Sequence, residues 1–534
     1  MNEDRGEERV APLTGNDLIG AGWMPGPEIG AALKKAREYE SRGVTDRGYL
    51  LKLLRRDFPP CKPKIALREE PVPFGEAIEA TCELDEKNIA SVRRFMRELL
   101  RAPVIERGAV MPDACPAGAA PATIPVGGAI AVRNAIIPSA HSADICCSMH
   151  ATFFKCDLDT STMLDALMQS TRFGMGGRRN DALVHHPVVD EDVWDNPFLQ
   201  GLEQSARIHM ADQGDGNHFA YIGRLSVQEG FVSALSDAGY GTIASPLADQ
   251  GDCFVLVTHH GSRGLGAKVY ARGQKEALHQ MRKTAEGIPD AAAWLDYESQ
   301  EGKNYWEALQ YVSRWTKANH ESIHARFLEK AGASMITAFG NEHNFVWKRG
   351  DLFLHGKGAT PAWKDEDGRP LLGLIPLNMA APILIVLGRD NPEFLSFCPH
   401  GAGRNLSRTA LVRPFRDEEG EIDEKAVQRS IAETTKGLDV RWFYGKPDLS
   451  ETPIGYKPAA QVREQIVKFG LADVIAEIEP LGCIMAGDSG PPPWIRRKQE
   501  LTPKQLRAIG HRSDRRKERQ RLHGRFEDSE EETG

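Results

Sequence analysis

Apolar and polar positions along this chain fall into two regimes. Near the N-terminus the apolar residues recur at helical spacing. Thr45-Asp46 ahead of Arg47–Leu54, with Leu50, Leu51, Leu53 and Leu54, predicts a capped helix that Pro59-Pro60 would stop. Ile89, Val92, Phe95, Met96 and Leu99 predict a second helix over Asp85–Leu100. From Gly108 to Ala131 the chain becomes rich in Gly, Pro and Ala, with short apolar runs at 124–126 and 129–132, so strands and tight loops are expected. Further short runs follow at 253–257, 352–354, 374–375 and 383–387, each leading into a Gly- or His-containing turn. Helical stretches at Ala267–Thr284 and Tyr305–Ala331 alternate with them. Residues 1–20 are polar and Gly-containing and read as a mobile arm; there is no internal repeat. The expected fold class is α+β (mixed α/β), with a β-sheet core and the chemistry on loops at strand ends.

Composition narrows the class. The chain has 534 residues, 41% hydrophobic and 27% charged, which suits a globular body with a large core. A net charge of −8 does not mark a general nucleic-acid binder, but it leaves room for a local basic groove. Met1–Pro12 is charged and lacks an apolar leader core, and the apolar run 379–387 is too short to span a bilayer. Nine scattered cysteines without a CxxC pair point to a reduced, cytoplasmic protein rather than a disulfide scaffold or zinc ribbon. After Pro491–Pro493 comes a basic stretch, Trp494–Arg525, then an acidic tip; it reads as a flexible tail.

The chemistry concentrates in six short motifs. Cys398–Arg408 sets His400 before Gly401-Ala402-Gly403-Arg404 and then Ser407-Arg408. Glycines allow successive N–H groups to converge on an anion, arginine forks match phosphate oxygens, and an imidazole at the lip can attack phosphorus. Asp144–Cys147 offers a carboxylate and thiols at close spacing. Asn217-His218 follows a Gly turn, and His259-His260-Gly261-Ser262-Arg263 ends an apolar run and opens a Gly/Arg loop. Glu342-His343-Asn344 repeats the His–Asn pairing, and His355-Gly356-Lys357 is followed by Gly358-Ala359-Thr360. Any one of these histidines is more often structural than a ligand; their repetition at strand ends favours a metal site. A mixed His/Cys/Asp set suits Mn²⁺, Zn²⁺ or Fe²⁺ better than Mg²⁺ or Ca²⁺, and spacing does not choose among them.

Taken in order over residues 108–487, these motifs resemble the RtcB family of RNA ligases. The matching elements are Met111-Pro112-Asp113, Asp144-x-x-Cys147, Gly216–Phe219, His259-x-Gly261-Ser262-Arg263, His343-Asn344, Lys357–Thr360 and His400–Arg408. The resemblance implies a GTP- and Mn²⁺-dependent ligase. It would join RNA 3′-phosphate or 2′,3′-cyclic phosphate ends to 5′-hydroxyl ends in RNA repair or tRNA splicing. Carried over by residue, it makes Asp144, Cys147, His218, His259 and His343 a two-manganese site with Cys147 bridging. Asn217, Asn344, Gly358, Ala359, Thr360, Gly401, Ala402, Gly403 and Arg404 would bind the nucleotide, and His400 would carry GMP. The implied layout is an N-terminal extension over 1–100, one catalytic domain over 101–490 and a tail over 491–534 that suits RNA contact. The protein is expected to be a cytoplasmic monomer with no membrane partner. The chain departs from the family pattern at Cys115, Ser148, Tyr221, Leu377-Asn378, Ala380 and Met485-Ala486, several of them near the expected base. Competing readings are a metal-dependent RNA-end phosphoesterase and a non-catalytic RNA-end-binding paralogue.

Overall fold

The computed structural model describes residues 12–488, apart from 22, 24, 25, 60–63, 119, 407 and 417–421. The fold is mixed α/β, built round a curled β-sheet. In this sheet the strands run Ser334–Glu342, Ser148–Lys155, Asp252–His260, Phe219–Ser226, Ala472–Met485, Ile383–Gly388 and Leu372–Pro376, every neighbour antiparallel. Asp439–Trp442 adds in parallel beside the end of Ala472–Met485. A second sheet is ordered Asn344–Arg349, Leu352–Lys357, Val126–Arg133, Ile105–Cys115 and Phe74–Glu76. The short strands Ala359–Pro361 and Phe397–Pro399 pair with each other beside it.

The large sheet curls until its two edges approach. The Asn341 side chain bridges them: its Oδ1 accepts the Leu374 N–H at 2.8 Å and its Nδ2 donates to the Leu374 carbonyl at 3.4 Å. The Tyr240 hydroxyl accepts the Leu372 N–H on the same edge at 3.1 Å.

The expected strands at 253–257, 352–354, 374–375 and 383–387 all form. The helix of residues Glu83–Leu99 buries Ile89, Val92, Phe95, Met96 and Leu99, the apolar stripe read from the sequence. Its Ile89, Val92 and Met96 share one core with Ile105, Ile130 and Phe353 of the second sheet. The N-cap at Asp46 also forms, its side chain accepting the Tyr49 N–H at 2.6 Å, and the helix runs Arg47–Asp57.

Three expectations change. Residues 12–20, read as part of a mobile arm, are structured: a Thr14–Asp17 capping box starts the helix Gly15–Gly20, and Leu18 is buried in a small cluster with Trp23, Leu50 and Leu54. Residues 1–11 and the tail from 489 onward lie outside the described residues. The Gly/Arg loop expected after His260 is instead the first turn of the helix Arg263–Thr284. Glycine weakens a helix, but a Cβ at Gly266 would overlap Ser262 Oγ, so close packing accounts for that residue. The long helix also starts early, at Gln300, capped by Ser299, and ends at left-handed Gly332.

Buried histidines are structural as well as functional candidates. His355 Nδ1 lies 3.0 Å from the Phe353 carbonyl, and its Nε2 accepts the Ile137 N–H at 3.0 Å. Burial, then the charge of His141, pushes its pKa down to about 3. The unfolded chain takes up this proton near pH ~6.5, so between those values the unfolded state holds more protons and stability falls as the pH is lowered. In chelator, denaturant titrations of wild type should therefore lose about 1.4 kcal/mol per pH unit more than His355→Gln between pH ~6 and ~4. Equal slopes would show that this imidazole is not buried neutral.

Candidate active site

Antiparallel pairing puts the start of one strand beside the end of the next, and the candidate ligands occupy these positions on one rim. Cys147 precedes Ser148–Lys155, His218 precedes Phe219–Ser226, His259 is the penultimate residue of its strand, and His343 follows Ser334–Glu342. The register aligns His259 with both Met149 and Phe219. Asp144 reaches the rim through a tight turn in which Cys146 adopts a positive φ of 56°. Gly261 leaves the space for it, since a Cβ there would overlap the Asp144 carboxylate.

The donor atoms form two groups, Asp144–Cys147–His218 and Cys147–His259–His343, each within 4.8 Å of one another. Cys147 Sγ belongs to both, 3.4 Å from His218 Nε2 and 3.2 Å from His259 Nε2. His218 Nε2 lies 2.9 Å from Asp144 Oδ2, and His259 Nε2 lies 3.1 Å from His343 Nε2. Burial, followed by His218 and His400, pushes the His259 pKa down to about 3; burial with His400, His259 and His218 holds His343 well below its ordinary value. Burial tends to raise the Asp144 pKa, but His218 and hydrogen bonds more than offset it and hold it low. Burial and Asp144 raise the Cys147 thiol well above its usual range.

Neutral imidazoles keep a lone pair on one nitrogen. His259 Nδ1 lies 3.2 Å from the Asn217 carbonyl, and a proton donated there leaves Nε2 bare, facing His343 Nε2 and Cys147 Sγ. Lone pairs converging from buried N and S atoms and the partly buried Asp144 carboxylate suit a divalent cation of the Mn²⁺, Zn²⁺ or Fe²⁺ type, so the residues present fit a metal.

His400 follows the strand Phe397–Pro399, and its ring centroid lies 4.9 Å from that of His343. Its Nδ1 sits 2.6 Å from Oδ2 of the fully buried Asp113, while Nε2 makes no hydrogen bond among the described residues. Asp113 was visible in sequence only as part of Met111-Pro112-Asp113; nothing local gave it this role. Its strand is pinned by buried Lys457, whose Nζ donates to the Pro112 and Ala114 carbonyls at 3.1 Å. Gly403, with φ 69°, packs its Cα so closely on Asp113 that a side chain would overlap the backbone there.

A cavity of about 330 Å³ joins these groups. It is lined by Asp144, Cys147, His259, His343, Asn217, Asn344, Gly358 and His400–Arg404, so most of the sequence candidates converge on it. Ala359 and Thr360 instead sit one step behind, in the strand paired with Phe397–Pro399, and do not line the cavity. Asn344 Oδ1 accepts the Gly358 N–H at 2.6 Å, fixing the turn beside His400. Arg404 donates to the Ser450 carbonyl at 2.5 Å and to buried Glu451 at 2.6 Å, and stacks on Tyr456. Glu451 and Tyr456 carried no motif that would have exposed them. Lys357 also lines the cavity, where burial pushes its pKa down to about 8. Ser407 lies outside the described residues.

Comparison with known proteins fits this geometry. The family profile described as "tRNA-splicing ligase RtcB" matches residues 191–486, over half the chain. The chain belongs to the RtcB family. Among its relatives, an RNA-splicing ligase RtcB of Mycobacterium bovis is 28% identical over 359 residues, 61% of this chain and 77% of that one. The tRNA-splicing ligase RtcB of Archaeoglobus fulgidus is 27% identical over 307 residues, 52% of this chain; the chain spans only 59% of that relative's length. The RNA-splicing ligase RtcB of Escherichia coli is 23% identical over 387 residues, 67% and 86% of the two chains. The RtcB profile begins after Asp113, Asp144 and Cys147, so their place in the site comes from the fold.

If each donor group takes a divalent cation, Cys147→Ser should weaken binding in both by about 100-fold, whereas Gly261→Ala, which displaces Asp144, should weaken only the group that contains Asp144. Equilibrium dialysis with circular dichroism as a folding control measures both. Two unperturbed ions in Cys147→Ser would exclude a shared thiolate.

Proposed function

We propose that the protein is a GTP- and Mn²⁺-dependent RNA ligase that joins 3′-phosphate or 2′,3′-cyclic phosphate ends to 5′-hydroxyl ends, in RNA repair or tRNA splicing. The observation that carries this is the Asp113–His400 pair beside the ligand cluster. With its proton held on Nδ1 by the Asp113 carboxylate, His400 presents the Nε2 lone pair as a nucleophile. His400 attacks the α-phosphorus of GTP, the N–P bond forms, the α–β P–O bond breaks, and pyrophosphate leaves. The RNA 3′-phosphate then takes the GMP from His400, and attack of the 5′-hydroxyl on that RNA phosphorus expels GMP. Metal held by Asp144, Cys147, His218, His259 and His343 would supply Lewis-acid polarisation of phosphate oxygens. A cyclic end is opened first by water.

In this reading Asn217, Asn344, Gly358 and Gly401–Gly403 hold the nucleotide phosphates. Arg404, already engaged by Glu451, shapes the loop as much as it offers charge. Residues 101–490 form the catalytic unit of a cytoplasmic monomer, with 1–100 as an extension and 491–534 as an RNA-contacting tail.

His400→Ala should abolish both protein-bound label from α-labelled GTP and RNA joining. Asp113→Asn should fold and bind Mn²⁺ yet label more slowly by roughly 10²–10⁴-fold, because the nucleophile loses its orienting base. Label persisting at wild-type rate in His400→Ala would sink the ligase reading.

A further inference from the structure

One wall of the cavity is built differently from the ligand cluster and the His400–Arg404 loop. It comes from Phe219 and Tyr221, from Met485 at the end of the neighbouring strand, from Leu377 and Met379 of the loop after Leu372–Pro376, and from Ile383, which opens the strand Ile383–Gly388. Met485 lies directly across from Phe219 and Cys483 across from Tyr221, so ring and thioether stand side by side. Phe219 also packs at 5.3 Å against His259, which places the apolar wall next to the ligand cluster.

Polar groups on this wall are few and mostly committed. The Tyr221 hydroxyl donates to the Ile478 carbonyl at 3.0 Å. Asn378 Oδ1 accepts the Ala380 N–H at 2.9 Å, while its Nδ2 makes no hydrogen bond among the described residues. The cavity's two carboxylates, Asp144 and Glu451, are occupied by His218 and Arg404. Guanine differs from adenine in presenting adjacent N1–H and N2–H donors, and selecting it needs an acceptor pair, best a carboxylate. No side chain of this wall supplies one. Sulfur and aromatic faces hold any flat purine, with a larger contact for two fused rings than for one.

We propose that this compartment is a purine pocket that reads ring shape rather than base identity, so that the protein takes adenosine and guanosine triphosphates alike. This rests on the ligase reading above and widens its nucleotide from GTP to either purine triphosphate. A pocket built to hydrogen-bond its ligand discriminates by about 10⁴–10⁵, whereas an apolar pocket manages roughly 10² at most. Asn378 is the specificity-determining position, because a carboxylate there keeps the cap on Ala380 and replaces the free donor by an acceptor.

The test uses the full chain with Mn²⁺, competition binding of GTP, ATP, CTP and UTP analogues that cannot transfer their α-phosphate, and protein-bound label from each α-labelled triphosphate. GTP and ATP should agree within about tenfold in both readouts and exceed CTP and UTP. Asn378→Asp should raise the GTP-to-ATP binding ratio by about tenfold or more, and Met485→Ala should weaken both purines equally. A wild-type preference for GTP above about 100-fold would overturn the shape-reading pocket while leaving the ligase intact. Binding of no nucleotide by the Mn²⁺-loaded protein would overturn both.

Discussion

The antiparallel register of four strands is the constraint on which the site depends. Strand polarity alternates across the sheet, so the first residue of one strand and the last of its neighbour share a rim. Residues separated by up to 199 positions, from Asp144 to His343, thereby each bring a donor atom within 4.8 Å of the Cys147 sulfur. Side-chain alternation makes the arrangement unforgiving. A one-residue slip of Asp252–His260 would turn His259 away and bring His260, now stacked at 3.5 Å on His320 of the long helix, to the ligand face.

That second face is a polar layer with its own logic. Thr258 Oγ1 contacts His320 Nδ1 at 2.6 Å and His324 Nε2 at 2.7 Å, and the outer nitrogens of these rings meet Ser148 and Thr152. Burial, then the charges of His260 and His150, hold the His320 pKa well below its ordinary value, and burial, then His150 and His260, do the same for His324. The chain of hydroxyls and imidazoles ties the long helix to the strands that carry Cys147 and His259. Rigidity at the rim is therefore supplied by satisfied buried polar groups as well as by apolar packing.

Much of this was written locally in the sequence. The Asp46 cap, the stripe from Ile89 to Leu99 and the short apolar runs each signal their element through nearest neighbours, and those elements form. His218, His259 and His400 stood out beside glycines, His343 by its pairing with asparagine, and Asp144 and Cys147 by the close spacing of a carboxylate and thiols. What was hidden depends on distance along the chain. Asp113 and His400 are 287 residues apart, and the partners of Arg404 lie 47 and 52 residues beyond it, with no periodicity to announce either contact. The helical first turn at Arg263–Gly266 was masked by its glycines, whose small size serves packing, of Gly264 against His209 and Ser205 and of Gly266 against Ser262, rather than a turn.

The Asn341 bridge has a consequence for how the protein behaves in a crowded solution. Leu372–Pro376 is an apolar strand at the border of the large sheet, the kind of free ladder that invites another chain to pair. Its outward N–H groups are nonetheless spent. Leu372 donates its N–H to the Tyr240 hydroxyl, Leu374 donates its N–H to Asn341 Oδ1 while its carbonyl accepts from Asn341 Nδ2, and Pro376 has no N–H to give. An amide, a phenol and an imino acid thus stand in for a missing strand and deny a template to self-association.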